Sequence, residues 1–224
     1  MRRFILMALG MLVVAGGARA ASVLLSKHDL RSLTSGTTPL TEVCVTCHTP
    51  HQVTAAAAQD PLWNHTLSAT LTYGVYSSAT LNAKPAELGT TNVAGSAAVS
   101  NLCLSCHDGT VSVFAMYRMP VAGTPTFSGG TVIDATGKLV GGASLGTSLT
   151  DDHPINFTYD AALATADGGG LVTPVDATQV VAGVPLYNGT VQCASCHNVH
   201  DPANAPFLRL SNVGSALCLS CHKK

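Results

Sequence analysis

Aromatic residues are scarce: phenylalanine, tyrosine and tryptophan make up 5% of the 224 residues, and tryptophan occurs once. Charged residues are few as well, at 10%. Alanine, glycine, serine and threonine dominate. A chain this poor in large side chains cannot close-pack a sizeable interior unaided. Either much of it is irregular, or something other than protein fills the middle. No segment after the N-terminus is apolar enough to cross a bilayer, which takes about 20 residues. Basic groups are in the minority beyond residue 20, with 8 basic against 12 acidic residues and a formal −4 with His neutral. That balance argues against nucleic acid or an anionic lipid surface as partner, since both demand basic patches.

The first 20 residues differ from the rest. Met1-Arg2-Arg3 is followed by an apolar stretch over 4–17 and then by Ala18-Arg19-Ala20. A charged start, a short apolar run and an A-x-A site predict a secretory signal peptide over 1–20, cleaved after Ala20. The product is expected to be exported, to the extracellular space or cell surface, with the periplasm as the alternative. A retained anchor, as in a membrane-bound quinol dehydrogenase, is the competing reading of the same segment.

No cysteine stands alone. All eight fall into four copies of one pentapeptide: Cys44-Val45-Thr46-Cys47-His48, Cys103-Leu104-Ser105-Cys106-His107, Cys193-Ala194-Ser195-Cys196-His197 and Cys218-Leu219-Ser220-Cys221-His222. Composition alone would give roughly 0.01 such pentapeptides in the chain, so four are a strong signal. C-x-x-C-H is the attachment sequence of c-type haem. Cysteines three apart lie on one side of a helical turn, where each can form a thioether with a porphyrin vinyl group. The histidine that follows then sits under the ring as an iron ligand. Zinc sites, redox-active C-x-x-C pairs and a disulfide framework each explain less. Zinc does not need a His after every pair. A thioredoxin-like context is absent, and four tight local loops would staple little of the fold. Four haems c are therefore expected.

Beyond the proximal His48, His107, His197 and His222, five histidines remain: His28, His51, His65, His153 and His200. Met116 and Met119 are the only methionines past residue 20, so methionine cannot be the general sixth ligand. Five spare histidines suffice for four bis-His irons with one left over. Filled sixth positions suit electron transfer, whereas a multihaem reductase needs an exchangeable one. An internal repeat helps to choose among the five. The first and third sites share C-x-x-C-H-x-x-H, ending at His51 and His200. The second and fourth share Ser-x-Leu-Cys-Leu-Ser-Cys-His. One further histidine lies upstream of each A motif, His28 in the first half and His153 in the second. The order is A-B-A-B, as in two diverged two-haem modules over about 21–120 and 121–224. His65, in Pro61-Leu62-Trp63-Asn64-His65, faces Leu210 in the similar stretch Pro206-Phe207-Leu208-Arg209-Leu210. It is the supernumerary histidine and the lesser candidate ligand.

The expected fold is mostly irregular, with short α-helices at the haem motifs, little β structure and the haems forming the core. Helices are predicted over 98–107 and 212–222 with Ser100 and Asn212 as N-caps, and a helical turn over 55–58. Residues 120–150 read as loop with a hairpin and 161–190 as Gly-rich loop.

With these pieces in hand, the chain resembles the extracellular tetrahaem c-type cytochromes that polymerise into conductive filaments, the OmcE-like group. The resemblance rests on Ser26-Lys27-His28-Asp29-Leu30, the stretch 44–51 with its Thr49-Pro50-His51 ending, Pro61-Leu62-Trp63-Asn64 and residues 103–109. It continues through Asp152-His153-Pro154-Ile155, residues 193–200 and residues 217–222. It implies four bis-His haems in a close chain, haem stacking that continues between subunits, and in some filaments an axial histidine donated by a neighbour. A pairing scheme follows from the A-B-A-B order. His28 would serve haem 1 and His153 haem 3. Each +3 histidine would serve the preceding module's B haem, His200 on haem 2 and His51 on haem 4 of a neighbouring copy. Head-to-tail copies of the chain, redox proteins and extracellular acceptors are the expected partners, with a monomeric periplasmic shuttle as the alternative.

Overall fold

Each attachment motif closes one helical turn. The His48 amide donates to the Cys44 carbonyl at 2.9 Å, His197 to Cys193 at 3.0 Å and His222 to Cys218 at 2.9 Å. The computed structural model describes residues 22–35, 40–49, 62–85, 97–119, 126–127 and 130–223. Around the second motif the turn grows into helix α1, Ala97–His107, where alanine and leucine favour helix. It stops at Gly109, whose φ of +70° is the left-handed conformation of a helix C-cap. A Cβ there would collide with the Ser144 hydroxyl and press on the Leu139 carbonyl. The third motif forms helix α3, Cys193–Cys196, and the fourth α4, Ala216–Leu219, entered through a 3-10 turn over Val213–Ser215. The first motif remains a single turn.

Two details differ from the sequence expectation. Ser100 is not an N-cap. It lies inside α1, fully buried, and its hydroxyl serves a contact between helices described below. Helix α2, Ala161–Ala166, stands where loop was expected. It is started by Asp160, whose carboxylate accepts the Leu163 amide at 2.8 Å. Asn212 does occupy the N-cap position of the last helical segment, without a side-chain capping bond. The helical turn expected over 55–58 lies outside the described residues.

Among the described residues strand structure is sparse, in three two-stranded ladders. Numbered along the chain, β1 is Thr34–Ser35, β2 Gly74–Val75, β3 Thr126–Phe127, β4 Ser148–Leu149, β5 Phe157–Thr158 and β6 Thr190–Val191. β1 pairs antiparallel with β3, β2 parallel with β4, and β5 antiparallel with β6. The expected hairpin is present as a narrow turn between Ile133 and Leu139. The Asp134 carboxylate holds its tip by accepting the Thr136 and Lys138 amides. The β1–β3 and β2–β4 pairs tie residues 126–149 to the first half of the chain.

Among the described residues apolar side chains gather in three small clusters. One contains Phe157, Tyr159, Val180, Val184, Leu186 and Val191, with Cys221 at its edge. A second contains Leu40, Val113, Phe114, Ile133 and Leu139, with Cys106 at its edge. The third is Tyr73, Leu104 and Leu149. Each cluster borders an attachment motif, so the motifs lie between islands of core.

Polar staples do much of the remaining joining. Asn64 is fully buried and donates to the Val45 carbonyl at 2.6 Å and the Arg118 carbonyl at 2.8 Å. Its Oδ1 accepts the Arg118 amide at 2.8 Å. Asn64→Ala removes three hydrogen bonds and is expected to cost about 3 kcal/mol, since one such bond contributes roughly 0.5–1.5. Chemical denaturation checks this, with the exposed Val213→Ala changing stability by less than about 0.5 kcal/mol.

Candidate cofactor sites

The A-type repeat seen in the sequence is repeated bond for bond. After the first motif the Thr49 amide donates to the Leu62 carbonyl at 2.8 Å, and the Asn64 amide returns to Cys47 at 2.8 Å. After the third, Asn198 donates to Phe207 at 2.7 Å and Arg209 to Cys196 at 2.9 Å. His48 bridges Trp63 as His197 bridges Leu208. Leu62 and Phe207 both take positive φ, 56° and 62°. The Arg209 guanidinium donates to the Ala194 carbonyl at 2.6 Å, the counterpart of Asn64 on Val45. This register sets His65 opposite Leu210, as the sequence alignment of the two halves expects.

The B-type motifs are held by their surroundings. The His107 carbonyl accepts the Leu145 amide at 2.6 Å. Next to the fourth motif, the Val172 amide donates to Cys221 at 2.7 Å and His222 bridges Leu171. Among the described residues no disulfide joins the eight cysteines, and no cluster of three or more His, Cys, Asp or Glu converges as a zinc site requires. Burial pushes the Cys106 thiol up to about 12 and the Cys221 thiol up to about 11. The cysteines also adjoin in chain order. Cys47 lies within electrostatic reach of Cys106, the Cys103 and Cys193 side chains meet, and Cys218 and Cys221 neighbour Cys196.

The histidines meet in pairs. His28 and His107 have ring centres 6.0 Å apart, His48 and His200 6.1 Å, and His153 and His222 6.4 Å. In each pair one ring follows a C-x-x-C and the other comes from elsewhere in the chain. A metal–imidazole bond is about 2 Å long, so two imidazoles on opposite sides of one metal have ring centres about 6 Å apart. The tautomers agree. The Nδ1 atoms of His107, His153 and His197 sit 2.8, 2.8 and 3.0 Å from the carbonyls of Ala143, Pro154 and Pro206. A carbonyl only accepts, so Nδ1 carries the hydrogen and Nε2 keeps its lone pair for a metal. Burial, then the neighbouring His107, His197 and His200, lower His28 to about 4, which keeps it in the neutral form that ligates. The donor set fits a haem iron with two imidazoles.

His65 behaves differently. It is 1% exposed, and its Nε2 sits 2.8 Å from the Ser112 carbonyl and 3.4 Å from the Cys106 sulfur. Its Nδ1 is buried without a hydrogen-bond partner. Its ring lies against Trp63, with centres 6.4 Å apart, where the paired histidines face another imidazole.

The ring neighbours in the structure are not those of the pairing scheme expected from the A-B-A-B order. His28 faces the second motif, not the first. His200 faces the first motif, not the second. His153 faces the fourth, not the third, so the His222 position set aside for a neighbour's His51 has a partner within the chain. The fold sets the two upstream histidines against the B-type turns instead. His51 itself lies outside the described residues.

Residues 185–224 match the family model described as a doubled CXXCH motif. That is a multihaem c-type cytochrome feature. It marks covalent haem c binding and an electron-transfer role for the segment containing the third and fourth motifs. No curated protein matches the chain.

One clamp positions His28. The Asp29 carboxylate is 5% exposed and receives two bonds from Arg31, both at 2.7 Å, and one from the Leu25 amide at 2.9 Å. The Arg31 hydrogen bonds lower its carboxyl from 3.8 to about 2. The stability this contributes is present above about pH 3.8 and lost as pH falls through about 2. Asp29→Asn is expected to be less stable than the parent at pH 7, with the gap narrowing as pH falls from 3.8 to 2. Denaturant midpoints across that range check the sign.

Proposed function

We propose that the chain is an exported electron carrier with four covalently attached haems c, each iron held between two imidazoles. The cysteines of attachment are Cys44 and Cys47, Cys103 and Cys106, Cys193 and Cys196, and Cys218 and Cys221. The proximal ligands are His48, His107, His197 and His222. The observation that carries the reading is the set of three imidazole pairs, which supports His200 on haem 1, His28 on haem 2 and His153 on haem 4. His51 is the repeat counterpart of His200, and by the same exchange it is the candidate for His197 on haem 3.

The haem supplies reversible one-electron chemistry at its iron. The protein's part is to hold each imidazole neutral and aimed, to fill both axial positions, and to keep neighbouring attachment turns adjacent. The order of cysteine contacts supports a row running from the first motif to the fourth. Cys44 and Cys218, at its two ends, are exposed. Electrons then enter at one end and leave at the other, to a redox protein or an extracellular acceptor. Stacking one copy's first site on another's fourth is a head-to-tail contact that propagates as a filament, the assembly the family resemblance implies. Among the described residues no helix is long and apolar enough to cross a membrane.

The intact mass of the secreted protein is expected to exceed that of the mature chain by four haems, and the resting electron paramagnetic resonance spectrum to be wholly low-spin. His65→Ala should leave that spectrum unchanged, while His28→Ala should turn one haem in four high-spin. A high-spin haem in the parent would favour a reductase with an exchangeable iron site. Electron microscopy of the secreted material is expected to show filaments, and single particles alone would identify a monomeric shuttle.

A further inference from the structure

Between the second and third attachment motifs lies a buried polar network that the ligand scheme does not use. Gln192 is fully buried at the start of α3. Its Nε2 donates to Asn156 Oδ1 and to Thr190 Oγ1, both at 2.9 Å. Its side-chain oxygen accepts the Ser195 amide, while the Ser195 hydroxyl accepts the Gln192 amide at 3.0 Å, a reciprocal cap on α3. The same oxygen accepts the hydroxyl of Ser100 from the middle of α1. Ser100 in turn accepts the amide of Cys193 at 3.2 Å. Every donor and acceptor of the Gln192 side chain is thereby engaged, so its rotamer is fixed.

The placement goes beyond holding two helices together. Cys103 lies three residues after Ser100, on the same face of α1, and its side chain meets that of Cys193. Ser100 thus fixes the backbone of the attachment cysteine whose sulfur Cys103 touches. The two innermost motifs are braced by this polar bridge, with their attachment cysteines adjoining. A satisfied buried network trades stability for a defined geometry.

We propose that Gln192 and Ser100 are positioning residues that set the spacing and tilt of the second and third attachment turns, and through them the coupling between the two central haems. The proposal rests on the reading that both turns carry haem, which the mass count of the parent tests separately. Ångström-scale misplacement of reacting groups costs up to about a hundredfold in rate, and loss of the brace is expected to slow transfer along the row by about tenfold.

Ser100→Ala and Gln192→Leu each break the bridge without touching a ligand. Both are expected to keep four low-spin haems, to lose amplitude in the Soret circular-dichroism couplet that reports coupled haems, and to slow end-to-end electron transfer after flash reduction. Ser100→Thr, which keeps the hydroxyl, should restore both readouts. Tyr159→Phe, which removes buried hydrogen bonds near the fourth motif, controls for stability alone and should leave the central couplet in place. If Gln192→Leu fails to accumulate, Ser100→Ala decides. An unchanged couplet and rate in Ser100→Ala would overturn the proposal, and so would equal losses in Tyr159→Phe. A parent lacking haem at either central motif would overturn the underlying reading instead.

Discussion

The imidazole pair is the constraint on which the rest of the arrangement depends. Each pair joins a histidine fixed by its own attachment turn to one that arrives from far along the chain: His107 to His28, His222 to His153, and His48 to His200. Loop-closure entropy makes such joins costly in a flexible chain, and this chain has few aromatic side chains with which to offset it. A metal bridging each pair would act as a cross-link between distant segments. That accounts for a fold with small separate clusters, two-residue strands and long loops that still has defined geometry. The His48–His200 pair carries the most weight, because it ties the first motif to the last quarter of the molecule. In the proposed reading neither half completes its own set of ligands.

Hydrogen bonds take over where apolar packing is thin. Asn64, Gln192 and Asp29 are all buried and polar, and each is satisfied by several partners. Each also stands beside a functional group: Asn64 behind the first motif, Gln192 between the second and third, and Asp29 next to His28. A buried polar group with all its partners in place specifies one arrangement more sharply than an apolar contact does. Asp108, next to His107, follows the same pattern. Burial opposes its ionisation, but bonds from Ser68, Tyr73 and Thr110 outweigh this and lower its carboxyl.

Much of the candidate site was legible in the sequence, because covalent attachment demands a fixed local spelling. The four C-x-x-C-H units name their cysteines and proximal histidines without help from the fold. The alignment of Pro61-Leu62-Trp63-Asn64-His65 with Pro206-Phe207-Leu208-Arg209-Leu210 was legible too, and the matching hydrogen bonds follow from it. Which histidine meets which motif was not. That depends on where loops lead, and loop paths are fixed by contacts such as β1–β3 that two-residue strands do not announce. The role of Ser100 was misread for a related reason. Serine near a helix start resembles a cap, and only the approach of α3 shows that its hydroxyl is used sideways. Helix α2 is too short to stand out in the sequence, because its six residues run straight into Gly168-Gly169-Gly170.

The central claim is that distant histidines pair across shared irons. Cryo-electron microscopy of the haem-bearing secreted protein tests it most directly. The account predicts iron between His28 and His107, between His48 and His200, and between His153 and His222, with His65 ligating nothing. Iron at any of these proximal histidines bound on its other side by a different residue, or His65 found on a metal, would contradict it.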